Sequence, residues 1–210
     1  MKSWTLTPVR AVALFTLAAC NPSSNAPAPG PEEAAQELVL SCTAFQYASA
    51  AALSASYGPE NLAEETLTGA EGESYAATVL YPNDPSRRLE IVWQDPETRV
   101  RPASISISGE ASAWVGPNSL SLGQALADVE TANGRPFMLW GFGWDYGGWV
   151  SEWNGGAFAP AEGCVTRVRF NPTGDQEGAQ GDSAFASDSA GVRRAAPRVS
   201  EFGLSYPSPQ

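Results

Sequence analysis

Leu38, Cys42, Phe45, Ser49 and Leu53 recur at steps of three and four residues, the period that lines one face of an α-helix. Gly58-Pro59 then supplies a stop signal. A second stripe, Leu122, Ala125, Leu126 and Val129, starts at Ser121-Leu122-Gly123-Gln124, which has capping-box form, and stops at Asn133-Gly134 ahead of Pro136. Strand-like alternation follows each helix. After the first, Ala76, Thr78 and Leu80 alternate with Ala77, Val79 and Tyr81, and a Pro82-Asn83-Asp84-Pro85 turn leads to Leu89, Ile91 and Trp93. Glu90 and Val92 take the other face, and Ile105 and Ile107 mark a further strand. After the second helix, strands are predicted at 137–145, 149–153 and 164–170, with turns at Gly147-Gly148 and Asn154-Gly155-Gly156. The pattern predicts an α+β domain over 32–171. It holds two helix-plus-antiparallel-strand modules, 38–110 and 118–171, which share one sheet with the helices on one face. Residues 172–197 are rich in Gly, Ser, Ala, Asp and Pro, so the tail 172–210 reads as mostly disordered, with Val199, Phe202, Leu204 and Tyr206 able to dock as a short segment.

The helix ending in Asn133-Gly134-Arg135-Pro136, after Leu122-Gly123-Gln124-Ala125-Leu126-Ala127-Asp128-Val129, resembles small periplasmic helix-plus-meander modules. The β-lactamase-inhibitor-protein-like fold and the small lipoprotein subunit of the outer-membrane barrel-assembly machine are two such modules. The body also resembles uncharacterised bacterial lipoproteins with a Gly-Phe-Gly-Trp-Asp-Tyr-Gly-Gly run, here 141–148. These resemblances imply a fold and carry no activity.

The N-terminus adds an address. Lys2 and Arg10 precede the apolar run 11–19, which is too short for a stable bilayer-spanning helix and right for a signal-peptide core. Leu17-Ala18-Ala19-Cys20 resembles the lipobox of bacterial lipoproteins. The resemblance implies removal of 1–19 and acylation of Cys20. Asn21, rather than Asp, follows the cysteine, which points to the outer membrane of a Gram-negative cell, with a Gram-positive surface as the alternative. Residues 20–31 are the lipidated cysteine and a Pro-rich tether, with a reach of roughly 30–35 Å at about 3.1 Å per residue.

Charge and composition narrow the chemistry. The chain of 210 residues has a net charge of −11 and no histidine. Its one lysine is Lys2, so processing at Cys20 removes every lysine, and the loss of Lys2 and Arg10 takes the charge from −11 to −13. Imidazole acid–base chemistry, His-ligated zinc, Schiff-base lysines and Walker-type phosphate lysines are excluded. So acidic a chain is no nucleic-acid binder. No metal or cofactor is called for. Gly69-Ala70-Glu71-Gly72-Glu73 is an acidic loop without the ligand spacing of a calcium site. With Cys20 assigned to lipid, Cys42 and Cys164 form an even pair in an oxidising compartment, and a disulfide is predicted between them. Two buried free thiols are the alternative.

Residues 137–158 concentrate the aromatic side chains, with four of the chain's seven tryptophans between 140 and 153. In an extended strand Trp140, Phe142, Trp144 and Tyr146 share a face, and Gly141 and Gly143 leave the other bare for a close approach. One reading is a stacking surface made of Trp140, Trp144, Tyr146, Trp149 and Trp153, with Asp145, Glu152 and Asn154 as hydrogen-bonding groups. The other is a hydrophobic core, with Asp145 capping the turn that follows it. Glu130 reads as solvated, Arg87 and Arg88 as paired with nearby acids, and Arg167 and Arg169 as the polar face of a strand. The leading expectation is a non-catalytic, lipid-anchored module on the periplasmic face of the outer membrane that binds an envelope protein or glycan. A carboxylate-dependent glycan hydrolase using Asp145 and Glu152, and an inhibitor of a secreted enzyme, are the alternatives.

Overall fold

The computed structural model describes residues 38–160 and 163–208. The expected leader, tether and lipidation site at Cys20 lie outside the described residues. Chain order is α1 (Cys42–Phe45), α2 (Ala50–Tyr57), β1 (Leu62–Thr68), β2 (Ser74–Leu80), β3 (Leu89–Asp95), β4 (Val100–Ser108), α3 (Leu126–Asn133), β5 (Met138–Trp140), β6 (Val150–Glu152), β7 (Val165–Asn171), β8 (Ala184–Ala186), α4 (Ala190–Arg194) and β9 (Arg198–Ser205). The class is α+β with antiparallel strand pairing.

The strands form two sheets where one was expected: a six-stranded sheet in the order β1-β2-β3-β4-β9-β7, and a three-stranded sheet in the order β6-β5-β8. The first module is the four-strand meander β1 to β4. The second splits, because β5 and β6 are only three residues each, β5 pairs with β6 on one side and β8 on the other, and β7 reaches the large sheet through β9. Tail residues therefore join the modules. The expectation of a mostly disordered tail is corrected: β9 lies between β4 and β7, with Ile107 opposite Phe202 and Phe202 opposite Val168.

The glycine-rich run before β9 is ordered by backbone rather than by apolar side chains. Phe142 N–H donates to Ala179 O, and Gly141 N–H to Ser183 O, at 2.8 and 2.9 Å. A Cβ at Gly174 or Gly191 would collide with a carbonyl oxygen across the gap. Small residues let these chains approach, a packing mode that composition reads as disorder. The same run covers Gly141, where a Cβ would lie 2.5 Å from Gly181 O.

The first predicted helix is two short ones. Ser41 and Ser49 each accept from a backbone N–H three residues on, at Ala44 and Ala52, and so act as N-caps. Between them the chain is drawn out by a bridge from Ser49 to Val100. At α3, Ser121 N–H donates to Gln124 Oε1, half of the capping box, but the helix begins only at Leu126. Gly134 ends it in the left-handed conformation, at φ 78°.

Alternation is clear in β3 and β7, whereas the second half of β2 is buried on both faces. Ile91, Ile105, Leu204 and Thr166 lie in one cross-strand row facing the core. Glu90, Ser106, Gly203 and Arg167 form the adjacent row on the opposite face. The core is a single buried cluster that includes Leu53 of α2, Val129 of α3, Leu139 of β5 and Val192 of α4. The predicted Cys42–Cys164 disulfide is present, with Cα atoms 5.8 Å apart. It ties α1 to the residue before β7 across a separation of 122 residues, a loop nominally worth about 4–5 kcal/mol in the chain-entropy model.

Candidate binding cleft

The polar face of the large sheet is the floor of a cleft of about 1280 Å³, walled by the segment joining β5 to β6. Glu90 and Val92 of β3, Ser104 and Ser106 of β4, Glu201 of β9, and Arg167 and Arg169 of β7 line the floor. Alternation puts them there: their neighbours in sequence, such as Ile91, Ile105, Val168 and Phe202, are fully buried on the other side.

The aromatic segment divides between wall and core, so both readings of it hold in part. Phe137, Phe142, Trp153 and Phe158 are core residues. Trp140, Trp144 and Trp149 are half-buried in the wall, and Tyr146 is 43 % exposed. The shared face expected for 140–146 is not formed, because β5 ends at Trp140 and the chain turns. Trp140 and Trp144 meet edge to face, as do Trp144 and Tyr146, with centroids 6.2 and 5.3 Å apart. Trp144 Nε1 donates to Gly141 O at 2.9 Å and fixes its ring. Trp153 only borders the cleft: it is 5 % exposed, packs between Phe137 and Phe158, and donates to Thr166 O at 2.9 Å.

Arg169 fastens the wall to the floor. Its Nε donates to Gly147 O and a terminal nitrogen donates to Asp145 O, both at 2.9 Å. Phe170 N–H donates to Gly148 O beside it, and a Cβ at Gly148 would strike Phe170 O, so that crossing requires glycine. Asp145 does not cap its own turn as expected. Its carboxylate accepts from Glu71 N–H, 74 positions away in sequence, at 3.0 Å. The acidic loop between β1 and β2 is thereby clasped to the aromatic wall. Glu152 is exposed at the rim near Asn154.

Two further groups escape a linear reading. Burial pushes the Glu201 carboxyl above its ordinary range, against the opposing pull of the Ser106 hydroxyl, Arg167 and Arg169. Tyr75 of β2 also lines the cleft, and burial, then Glu90 and Glu201, raise its phenol. Glu90 is held by Arg88, which also grips Glu65 at 2.7 Å, so Arg88 is paired as expected. Arg87 instead lies over the Tyr81 ring at 3.6 Å. Glu130 is not solvated: it pairs with Arg193 and accepts from Ser187, because α4 packs beside α3. The alternation of β3 and β7 could have pointed to Glu90 and Arg167. Glu201 sits in the run taken for a tail, and Tyr75 had no periodic signal.

Among the described residues, no group of side chains is spaced to hold a metal ion, and no helix is long and apolar enough to cross a membrane. No protein-family model, no curated protein and no solved structure matches the chain.

Proposed function

We propose that the protein is a lipid-anchored module of the bacterial envelope that binds an envelope component in this cleft and performs no chemistry on it. The observation that carries the reading is the pairing of half-buried indoles, Trp140, Trp144 and Trp149, with a floor of hydroxyls and charges. Aromatic faces beside a few convergent polar groups are the usual make-up of a ligand site. The wall is also pre-formed, through the Trp144 and Arg169 hydrogen bonds, which limits the entropy lost on binding. The lipobox resemblance at Cys20 supplies the location.

The test uses the chain from residue 20 onward with Cys20→Ala, which carries neither acyl group nor leader, sedimented with a washed envelope fraction of cell-wall sacculi and outer membranes. We expect the chain to co-sediment, and the Trp144→Ala/Trp149→Ala variant to lose at least about tenfold in affinity, the effect of removing stacked aromatic anchors. Equal sedimentation of both chains, with circular dichroism unchanged, sinks the proposal.

A further inference from the structure

The arginines around the cleft are not equivalent. Arg88 is engaged by Glu65 and Glu90, and Arg169 by the carbonyls of residues 145 and 147. Arg167 lies in the floor with its guanidinium 4.5 Å over the Trp149 ring. Among the described residues no carboxylate comes within ion-pair distance of it. No sealed side-chain nitrogen lacks a partner among those residues, so the unbonded N–H groups of Arg167, a residue that lines the cleft, are open to solvent. Its cross-strand neighbour is Gly203, which places no side chain beside it.

A planar guanidinium steadied on an indole, near Glu201 but bonded to no carboxylate among the described residues, is a receptor for a planar anion. Two features select a carboxylate over a phosphate. Glu90 and Glu201 stand on the same floor, so a second negative charge on the ligand adds repulsion. Phosphate sites also recruit several cations, whereas the other floor arginine is already engaged. Around this anchor the cleft is lined by the half-buried indoles of Trp140, Trp144 and Trp149 and by Ser104 and Ser106, with Glu152 and Asn154 at the rim. Flat apolar faces ringed by hydrogen-bonding groups suit a pyranose, whereas apolar peptide side chains want an apolar recess.

Resting on the binding reading above, we infer that the cleft takes a saccharide bearing a carboxylate, with Arg167 as the anchor of that group. Two envelope sources share this chemistry: a glycan with a lactyl ether acid on one sugar, and a uronic-acid polysaccharide.

The experiment titrates the same chain, residue 20 onward with Cys20→Ala, by calorimetry with three tetrasaccharides. One alternates N-acetylglucosamine with N-acetylmuramic acid bearing free carboxylates, one alternates N-acetylglucosamine with glucuronate, and chitotetraose carries no acid. At least one acidic tetrasaccharide is expected to bind about tenfold to a hundredfold more tightly than chitotetraose, the range of a charge-assisted hydrogen-bonded pair. The acid that binds better identifies the source. Arg167→Met should reduce acidic binding to the chitotetraose level, and Arg167→Lys should fall between, because an ammonium keeps the charge without the planar fork. Should Arg167→Met fail to fold by circular dichroism, Arg167→Lys alone decides the point. Equal affinity for acidic and neutral tetrasaccharides, or no effect of the Arg167 changes, overturns the inference. If none of the three binds while envelope co-sedimentation persists, the ligand class is wrong and the cleft reading survives. If co-sedimentation is also independent of Trp144 and Trp149, that reading falls too.

Discussion

Glu201 shows how a single side chain can be costly to the fold and useful to the surface it forms. It stands opposite Arg169 in β9, and burial raises its pKa above the ordinary 4.5 despite two nearby arginines. A raised acid favours the fold fully while both states are protonated, below the unfolded value. That advantage is lost as pH rises through the folded value. Glutamine keeps the shape and cannot ionise. Glu201→Gln should therefore match the native chain in urea midpoint near about pH 4 and exceed it at neutral pH, with the gap opening between. A gap independent of pH would show that packing, not ionisation, sets the difference. The site as a whole was partly legible at this scale. Trp140, Trp144, Tyr146 and Trp149 are close in sequence and declared themselves by density, whereas alternation put Arg167 only on the polar face of a strand. Glu201 and Tyr75 come from strands far along the chain, and only strand register brings them to the same floor.

Among the elements, β9 decides the architecture. It hydrogen-bonds β4 on one side and β7 on the other, and contributes the fully buried Phe202 and Leu204. Gly203 sits where a Cβ would collide with Ile105 O, so even its small residue is dictated by the neighbouring strand. Removing residues 172–210 would leave β4 and β7 with unpaired edges and expose the core beneath. We expect a chain ending at Asn171 to accumulate in the insoluble fraction and to lack cooperative thermal unfolding. A soluble, cooperatively folding truncation would mean that β9 is an accessory. Elements built on local periodicity were readable: β3 and β4 follow the alternation of Leu89, Ile91, Ile105 and Ile107, and Gly134 ends α3. The splitting of the first helix and the ordering of the glycine-rich run were not. Both depend on backbone partners remote in sequence, Val100 for Ser49 and the 141–142 segment for residues 179–183. A pattern of apolar side chains carries no trace of such contacts, and few apolar residues mark the run before β9.

For the whole molecule, charge and anchor answer the same question of location. On the reading of Cys20 as a lipidated residue, cleavage before it would take the net charge from −11 to −13 and leave arginine as the only basic side chain. An acidic chain is repelled by anionic headgroups rather than drawn to them. No helix among the described residues is suited to cross a bilayer. If the lipobox reading is right, the acyl chains on Cys20 must supply all of the membrane affinity, and two or three chains suffice where one is marginal. Two consequences separate this from a polar association. Native protein in isolated membranes should stay bound through a 1 M salt wash, because screening removes a repulsion and not an attraction. Cys20→Ala, exported behind a leader that is cleaved without acylation, should move to the soluble fraction and lose metabolic labelling with a palmitate analogue. Release of the native chain by salt, or retention on membranes of the Cys20→Ala chain freed of residues 1–19, would mean that the folded body itself holds a membrane partner, and the cleft on the large sheet would be the first surface to test for it.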